Sequence, residues 1–334
     1  MLDTRTLRAR AASLAVLSGL CLLPSPRLAL SLEGGYMSLT SVEQGGTIDF
    51  HISTSAPKYY IAIYREGAER MFMKRVDGLT GATYDCPEPG YETGCGWPVA
   101  YRLQVPRDWP SGVYTADFNT GLDGAKKLMT LFVVREDQPG STSPILFTLA
   151  VNTHNAYNPT GGKSLYDYNS SNGMPAVSVS FLRPYGYPGD GNYYKREHGF
   201  VEWAEKSGYP IEYGTNVDLH RDPALLSHYS LFVCCGHDEY WSHEMRVHLD
   251  SFVDAGGNAA ILSGDTCWWQ IRYSPDLKNM ISFNGKALTT MICYKRFAST
   301  KDPVAIDGNP ANDHLITTNF YKLPVKNPGR RRRA

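Results

Sequence analysis

From 36 to about 136 the chain alternates apolar and polar residues in short runs broken by turn formers. TIDFHIST, KYYIAIYRE, AYRLQVP, GVYTADF and KLMTLFVV each repeat with period two, the pattern of a strand buried on one face. No segment of this region carries a helical period. Several short antiparallel strands over about a hundred residues predict an immunoglobulin-like β-sandwich across 36–136. DQPGSTSP (137–144) reads as a Gly/Ser/Pro linker.

Past the linker the pattern changes. ILFTLAVN and VSVSF are apolar, β-branched runs. Arg196 to Ser207 has the helical period, with Phe200, Trp203 and Ala204 on one face and Gly208 placed to end it. PIEYGT follows as a strand, and Asp222-Pro223 supplies the cap and first-turn proline of a short helix. SLFVCCG is continuously apolar, as a strand buried on both faces requires. Ser242 caps the next helix, whose stripe is Met245, Leu249, Phe252 and Val253; Gly256-Gly257 ends it and NAAILSG is the next strand. The order β-α-β-α-β predicts an α/β domain over 145–329. Its sheet is mostly parallel and covered by helices, a three-layer arrangement like that of glutamine amidotransferases or Rossmann folds. There is no internal repeat.

At 334 residues the chain has room for two domains with separate cores, and its 42% hydrophobic and 20% charged residues are ordinary for a folded protein. Lys+Arg and Asp+Glu are both 33, so no net field recruits nucleic acid or an anionic membrane. Arg330 to Arg333 are the one basic cluster, in a tail over 330–334 that reads as a solvated end or processing scar. The first residues resemble a secretory signal peptide over 1–31: Arg5, Arg8 and Arg10 precede apolar Ala11 to Leu23, and small residues follow at Ala29 and Ser31. The apolar run is roughly 13 residues long, against the ~20 needed to span a bilayer. A secreted or periplasmic protein without stable membrane insertion is expected. Six of the seven cysteines follow the leader; Cys86 and Cys95 bracket the turn-rich DCPEPGYETGC and are expected to pair in an oxidising compartment. Cys234, Cys235, Cys267 and Cys293 sit in apolar surroundings and read as buried thiols.

Sites in open α/β sheets gather at the carboxyl ends of strands. Three polar clusters hold such positions: NTHNAYNPTGGKSLYDY (152–168), GHDEYWSHE (236–244) and GDTCWW (264–269). In the second, His237, Asp238 and Glu239 stand together, with His243 and Glu244 close behind. A carboxylate beside an imidazole suits metal ligation or general acid–base work. Equally, Asp238 or Glu239 caps the following helix and His237 is a loop histidine. The spacing does not match the helical H-E-x-x-H zinc motif. The first cluster brings Tyr157, Asn158, Gly161, Gly162 and Tyr166. It contains no G-x-G-x-x-G and no complete phosphate-binding loop, which excludes the dinucleotide and nucleotide readings.

N-A-Y-N-x-x-G-G-K-S-L-Y, then G-H-D-E-Y-W-S, then S-G-D-T-x-W-W together resemble the large (beta) subunit of N,N-dimethylformamidase and its relatives. The resemblance runs from about Glu43 to about Thr318 and includes W-P-S-G-V-Y upstream. It implies an iron-assisted hydrolase of a C–N (amide) bond, with a mononuclear Fe(III) held by Tyr114, Tyr157 and Glu239. Hard phenolate and carboxylate oxygens suit a trivalent ion, which would polarise the amide and acidify water. His237 would then shuttle the proton, with Asn158 and Asp265 as further candidate catalytic residues. Asp265 stands where many relatives carry asparagine. The chain also ends soon after LITTNFYKLP, where the family domain continues, so a truncated sheet edge is expected. The resembled enzyme works with a small helical subunit, so either such a partner or a homo-oligomer is expected.

Two other readings compete. One is a catalytically silent carbohydrate- or ligand-binding protein presenting Trp241, Trp268 and Trp269. The other is a thiol hydrolase with Cys235 as nucleophile, which Cys234 disfavours because a small glycine belongs at that place in the elbow.

Overall fold

The alternating residues before the 137–144 segment fold into two sheets over one core. The computed structural model describes residues 32–119, 128–186, 189–275, 282–283 and 286–320; the leader and the arginine tail lie outside the described residues. The strands are β1 (Gly34–Met37), β2 (Ser41–Glu43), β3 (Thr47–Ser53), β4 (Lys58–Glu66), β5 (Met71–Thr80), β6 (Tyr101–Gln104), β7 (Gly112–Asn119) and β8 (Leu128–Arg135). A short helix α1 (Gly90–Thr93) interrupts them. One sheet runs β1-β3-β6 and the other β2-β8-β7-β4-β5, antiparallel except where β2 meets β8. Period two does its work in β3: Ile48, Phe50 and Ile52 are buried, while Thr47 is exposed. Those side chains meet Ile61, Ile63, Leu103, Tyr114 and Phe132 from both sheets. Cys86 and Cys95 are bridged, as expected, and their loop carries α1.

The rest of the chain forms β9 (Ile145–Leu149), α2 (Val151–Tyr157), β10 (Ser178–Ser180), α3 (Tyr193–Arg196), α4 (His198–Lys206), β11 (Glu212–Thr215), α5 (Asn216–Arg221), β12 (Leu231–His237), β13 (Tyr240–Ser242), α6 (His243–Asp254), β14 (Asn258–Gly264), β15 (Trp269–Pro275), β16 (Ser282–Phe283) and β17 (Lys286–Ile292). Four strands make a parallel sheet in the order β11-β9-β12-β14. Two expectations need correction. VSVSF does form a strand, but β10 pairs antiparallel with β17 in a separate sheet with β15 and β13. The short helix expected at Asp222-Pro223 is a single 3-10 turn over Leu225–His228, with Asp222 Oδ1 accepting from the Ala224 amide; a separate helix that the pattern does not give, α5, precedes it, capped by Thr215 Oγ1, which accepts from the Asp218 amide. Ser242 caps α6 as expected, accepting from Met245 N at 3.2 Å. The result is a mixed α/β protein with several sheets. No described helix is long and apolar enough to cross a membrane.

The core of the parallel sheet starts on the β7–β8 sheet: Val113, Leu131 and Val133 pack with Phe147, Leu149, Val201 and Tyr213. Buried polar contacts fasten the same junction. The Arg65 guanidinium meets Glu205 at 2.7 Å, and Ser41 Oγ donates to Asp218 at 2.7 Å. Glu212, almost wholly buried, holds the 137–144 segment: its carboxylate accepts from the amides of Gly140, Thr142 and Ser143 and from the Thr142 and Tyr229 hydroxyls. A carboxylate with five donors is a strong anchor.

Candidate active site

Neighbouring parallel strands β9 and β12 deliver the two halves of the site, at the point where the strand order reverses. The chain leaving β9 turns into α2 and ends it at Tyr157. The chain leaving β12 passes His237 and reaches Glu239. Backbone bonds fix Glu239 on both sides: its amide donates to Thr153 Oγ1 at 2.9 Å, and its carbonyl accepts from Trp268 and Trp269.

Three side chains converge on the buried Glu239 carboxylate, and a fourth, Tyr240, bonds to one of them. Tyr157 donates to Oε2 at 3.0 Å, and Tyr166 shares its proton between Oε1 (3.1 Å) and Oε2 (2.9 Å). His237 Nε2 lies 3.3 Å from Oε2 and 3.4 Å from the Tyr157 hydroxyl. Tyr240 donates to the Tyr166 oxygen at 2.7 Å. The Tyr157 and Tyr166 rings stack at 4.3 Å. Burial, followed by opposing effects of the Tyr166 hydrogen bond and the Glu239 charge, pushes the Tyr157 phenol up to about 12. Burial and then Glu239 drive Tyr166 well above the ordinary tyrosine value. Both phenols therefore remain protonated donors aimed at one carboxylate.

The loop that carries Tyr157 is pinned by Arg183. This guanidinium is 1% exposed and donates to the carbonyls of Asn155, Asn158, Thr160, Lys163 and Ser180 and to Asn155 Oδ1. Burial pulls its pKa down to about 9. Gly161 and Gly162 adopt left-handed φ of 82° and 108°. A Cβ on Gly161 would come within 2.3 Å of the Tyr91 amide, so glycine lets this loop close on α1 rather than on a ligand.

The other predicted residues lie elsewhere. Asn158 is buried but committed to the backbone, donating to Pro184 O at 3.1 Å and accepting from the Thr160 amide. Asp265 sits exposed in the turn after β14, at a left-handed φ of 51°. Asp238 is fully buried, and Asn216 Nδ2 donates to it at 3.1 Å. Burial pushes Asp238 up to about 7. The Trp241 indole opposes that shift without reaching hydrogen-bond geometry. Neither acid caps α6, since Ser242 does. Trp241 is buried, Trp269 half-buried and Trp268 exposed, so the row of aromatic platforms is not presented as a surface. Cys235 is held as a thiol, pushed up to about 11 chiefly by burial. Residue patterns had not singled out Tyr240 or Lys295. Tyr240 lay within GHDEYWS, whereas CYKRF offers no signal for Lys295.

The structure is a mixed α/β architecture with a carboxylate and tyrosines gathered at the ends of parallel strands. The chain belongs to the N,N-dimethylformamidase beta subunit-like, C-terminal family, whose model matches residues 60–330. No curated protein matches it.

The ferric centre implied by the resemblance does not fit these residues. Among the described residues no group of three or more His, Cys, Asp or Glu is placed to hold a metal ion. Tyr114, assigned as a ligand, is fully buried in the first core, stacked on Trp109 at 5.1 Å. Its hydroxyl is spent on Pro110 O at 2.7 Å. That is a tyrosine corner, four residues back along the chain, and it belongs to the β architecture. Tyr157 and Glu239 meet each other, but their third partner is Tyr166.

Proposed function

We propose that the chain is a hydrolase of C–N bonds in small amides, acting at the Glu239 cluster. The observation that carries this reading is the convergence of two protonated phenols and an imidazole on one buried carboxylate. In the step this supports, Glu239 takes a proton from water as the water oxygen bonds to the amide carbon. The tetrahedral oxyanion accepts the phenol hydrogen bond of Tyr157, which is freed as Glu239 becomes neutral. The C–N bond then breaks, and His237 relays the proton to the departing nitrogen. The products are a carboxylic acid and an amine. Family membership supports the hydrolase class; the cluster supports the acid–base route.

The same proposal includes the finer architecture and setting. The two sheets over one core, with the Tyr114 corner, support an immunoglobulin-like sandwich over 36–136, and the β11-β9-β12-β14 sheet supports a three-layer α/β domain over 145–329. Export behind the 1–31 leader is supported by the Cys86–Cys95 bridge, which persists in oxidising compartments. The test is amine release from a panel of small amides. Glu239→Gln should abolish it, and Tyr157→Phe should lower kcat by about 10²-fold, as loss of an oxyanion donor does. Full activity in Glu239→Gln would sink the reading.

A further inference from the structure

A lysine shares a ring with the Glu239 cluster. The Lys295 ammonium lies 3.4 Å from the centre of the Tyr166 ring, and 5.1 Å and 5.5 Å from those of Tyr240 and Trp269. Tyr166 is the phenol that donates to both Glu239 oxygens, and Tyr240 is the phenol that donates to Tyr166. One cation therefore faces both members of the hydrogen-bond chain that ends on the carboxylate. The fold holds it there at a cost, since burial pulls Lys295 down to about 8. The titratable groups around it, besides these phenols, are Cys293, Glu239, Arg296 and Asp167. Cys293 is a thiol pushed up to about 12 by burial, and Arg296 and Asp167, both exposed, meet each other at 3.6 Å. That leaves the buried Glu239 carboxylate as the charge Lys295 answers, with Tyr166 touching both. Lys295 also keeps a left-handed φ of 51°, fixed by a bond from its amide to Thr317 O at 3.0 Å and one from Thr318 Oγ1 to its carbonyl at 3.3 Å. A non-glycine residue stays in that conformation only where its surroundings over-determine it, and such positions cluster at functional sites.

We propose that Lys295 is a positioning residue of the Glu239 site: over the Tyr166 ring, its ammonium strengthens the hydrogen bond by which that phenol holds the carboxylate ready to take a proton from water. The inference rests on the hydrolase reading and deepens it. A cation over an aromatic face draws on the electron density of the ring. The phenol oxygen shares that density, so its O–H becomes a stronger donor to an ionised acceptor. The bond from Tyr240 polarises the same oxygen in the same direction, and hydrogen bonds in series reinforce one another. Lys295 touches neither water nor amide in this scheme; its charge acts through Tyr166.

The first test needs no turnover. Protein labelled with ¹³C at the tyrosine ζ carbon reports each phenol by NMR, and the Tyr166 signal is the one that Tyr166→Phe removes. That signal should shift as Lys295 loses its proton, with a midpoint at about 8. Lys295→Met should abolish the step. Lys295→Arg keeps a cation on the ring, so it should hold the parent's neutral-pH position without a step, and it decides where Lys295→Met fails to fold. A parent signal without a step, or the same step in either variant, overturns the proposal. Amide turnover supplies the second test. Lys295→Met should lower kcat about tenfold with little change in KM, and Lys295→Arg should restore it. In the Tyr166→Phe background Lys295→Met should add no further loss. An equal loss in both backgrounds means that the ammonium acts on Glu239 directly, which overturns the proposal. A Lys295-dependent step without turnover of any amide leaves the coupling and removes the hydrolase. Turnover with no such step leaves the hydrolase and removes the role of Lys295.

Discussion

Tyr166→Phe deletes one oxygen atom and should loosen the whole cluster. The hydroxyl donates to Glu239 and accepts from Tyr240, whose own hydroxyl is otherwise buried. A hydrogen bond to an ionised group contributes about 1.5–3 kcal/mol, and a buried hydroxyl left without an acceptor costs about 1–3 kcal/mol. At mid-range the substitution removes about 4 kcal/mol, a large share of the ~5–15 kcal/mol that holds a typical protein folded. Urea unfolding followed by tryptophan fluorescence should show a lower midpoint at unchanged slope. Glu239→Gln in the same background should couple to it by at least about 1 kcal/mol. A loss under about 1 kcal/mol, or strict additivity, would refute the claim that phenol and carboxylate form one unit.

Three further outcomes follow from groups outside the cluster. Glu212→Ala releases four donors of the 137–144 segment and the Tyr229 hydroxyl and should make the segment a preferred site of limited proteolysis, with a stability loss above about 3 kcal/mol; unchanged cleavage would contradict the anchor. Asp238, raised to about 7 by burial, holds a proton in the folded state that the unfolded chain releases near its ordinary value. Its contribution is full below about pH 4 and is lost as pH rises through about 7, roughly 4 kcal/mol in all. Asp238→Asn should therefore gain on the parent between pH 4.5 and 8, and parallel stability profiles would exclude this. Cys86→Ser opens a loop of about ten residues and should lower stability by about 2.5 kcal/mol on loop entropy. A change within error would mean that the loop is held by its other contacts.

Much of the fold was legible because burial on one face leaves a period-two trace, as in TIDFHIST and KYYIAIYRE. The trace names a strand but not its neighbour, so VSVSF was placed in the wrong sheet. Helix α2 leaves no apolar period because four of its six buried residues are polar: among them Asn152 donates to Tyr240 O, Thr153 accepts from Glu239 N, and His154 meets Glu197 at 2.9 Å. Strand NAAILSG reads as interior, yet β14 is an edge, with Ile261 and Leu262 exposed. The strand-end rule points to the loops that carry Tyr157 and Glu239, and the family resemblance is what singles out the two residues within them. Tyr114 was not separable from Tyr166 as the third oxygen, since nothing local to the sequence says which tyrosine reaches across. Lys295 depends wholly on tertiary placement.

The most direct test sets Tyr166→Phe against Tyr114→Phe in amide turnover, each corrected for the folded fraction. The account predicts a loss of about 10²-fold or more for Tyr166→Phe, which leaves the general base Glu239 misplaced, and activity within a few-fold of the parent for Tyr114→Phe. Loss of turnover in folded Tyr114→Phe, with Tyr166→Phe near the parent, would contradict it.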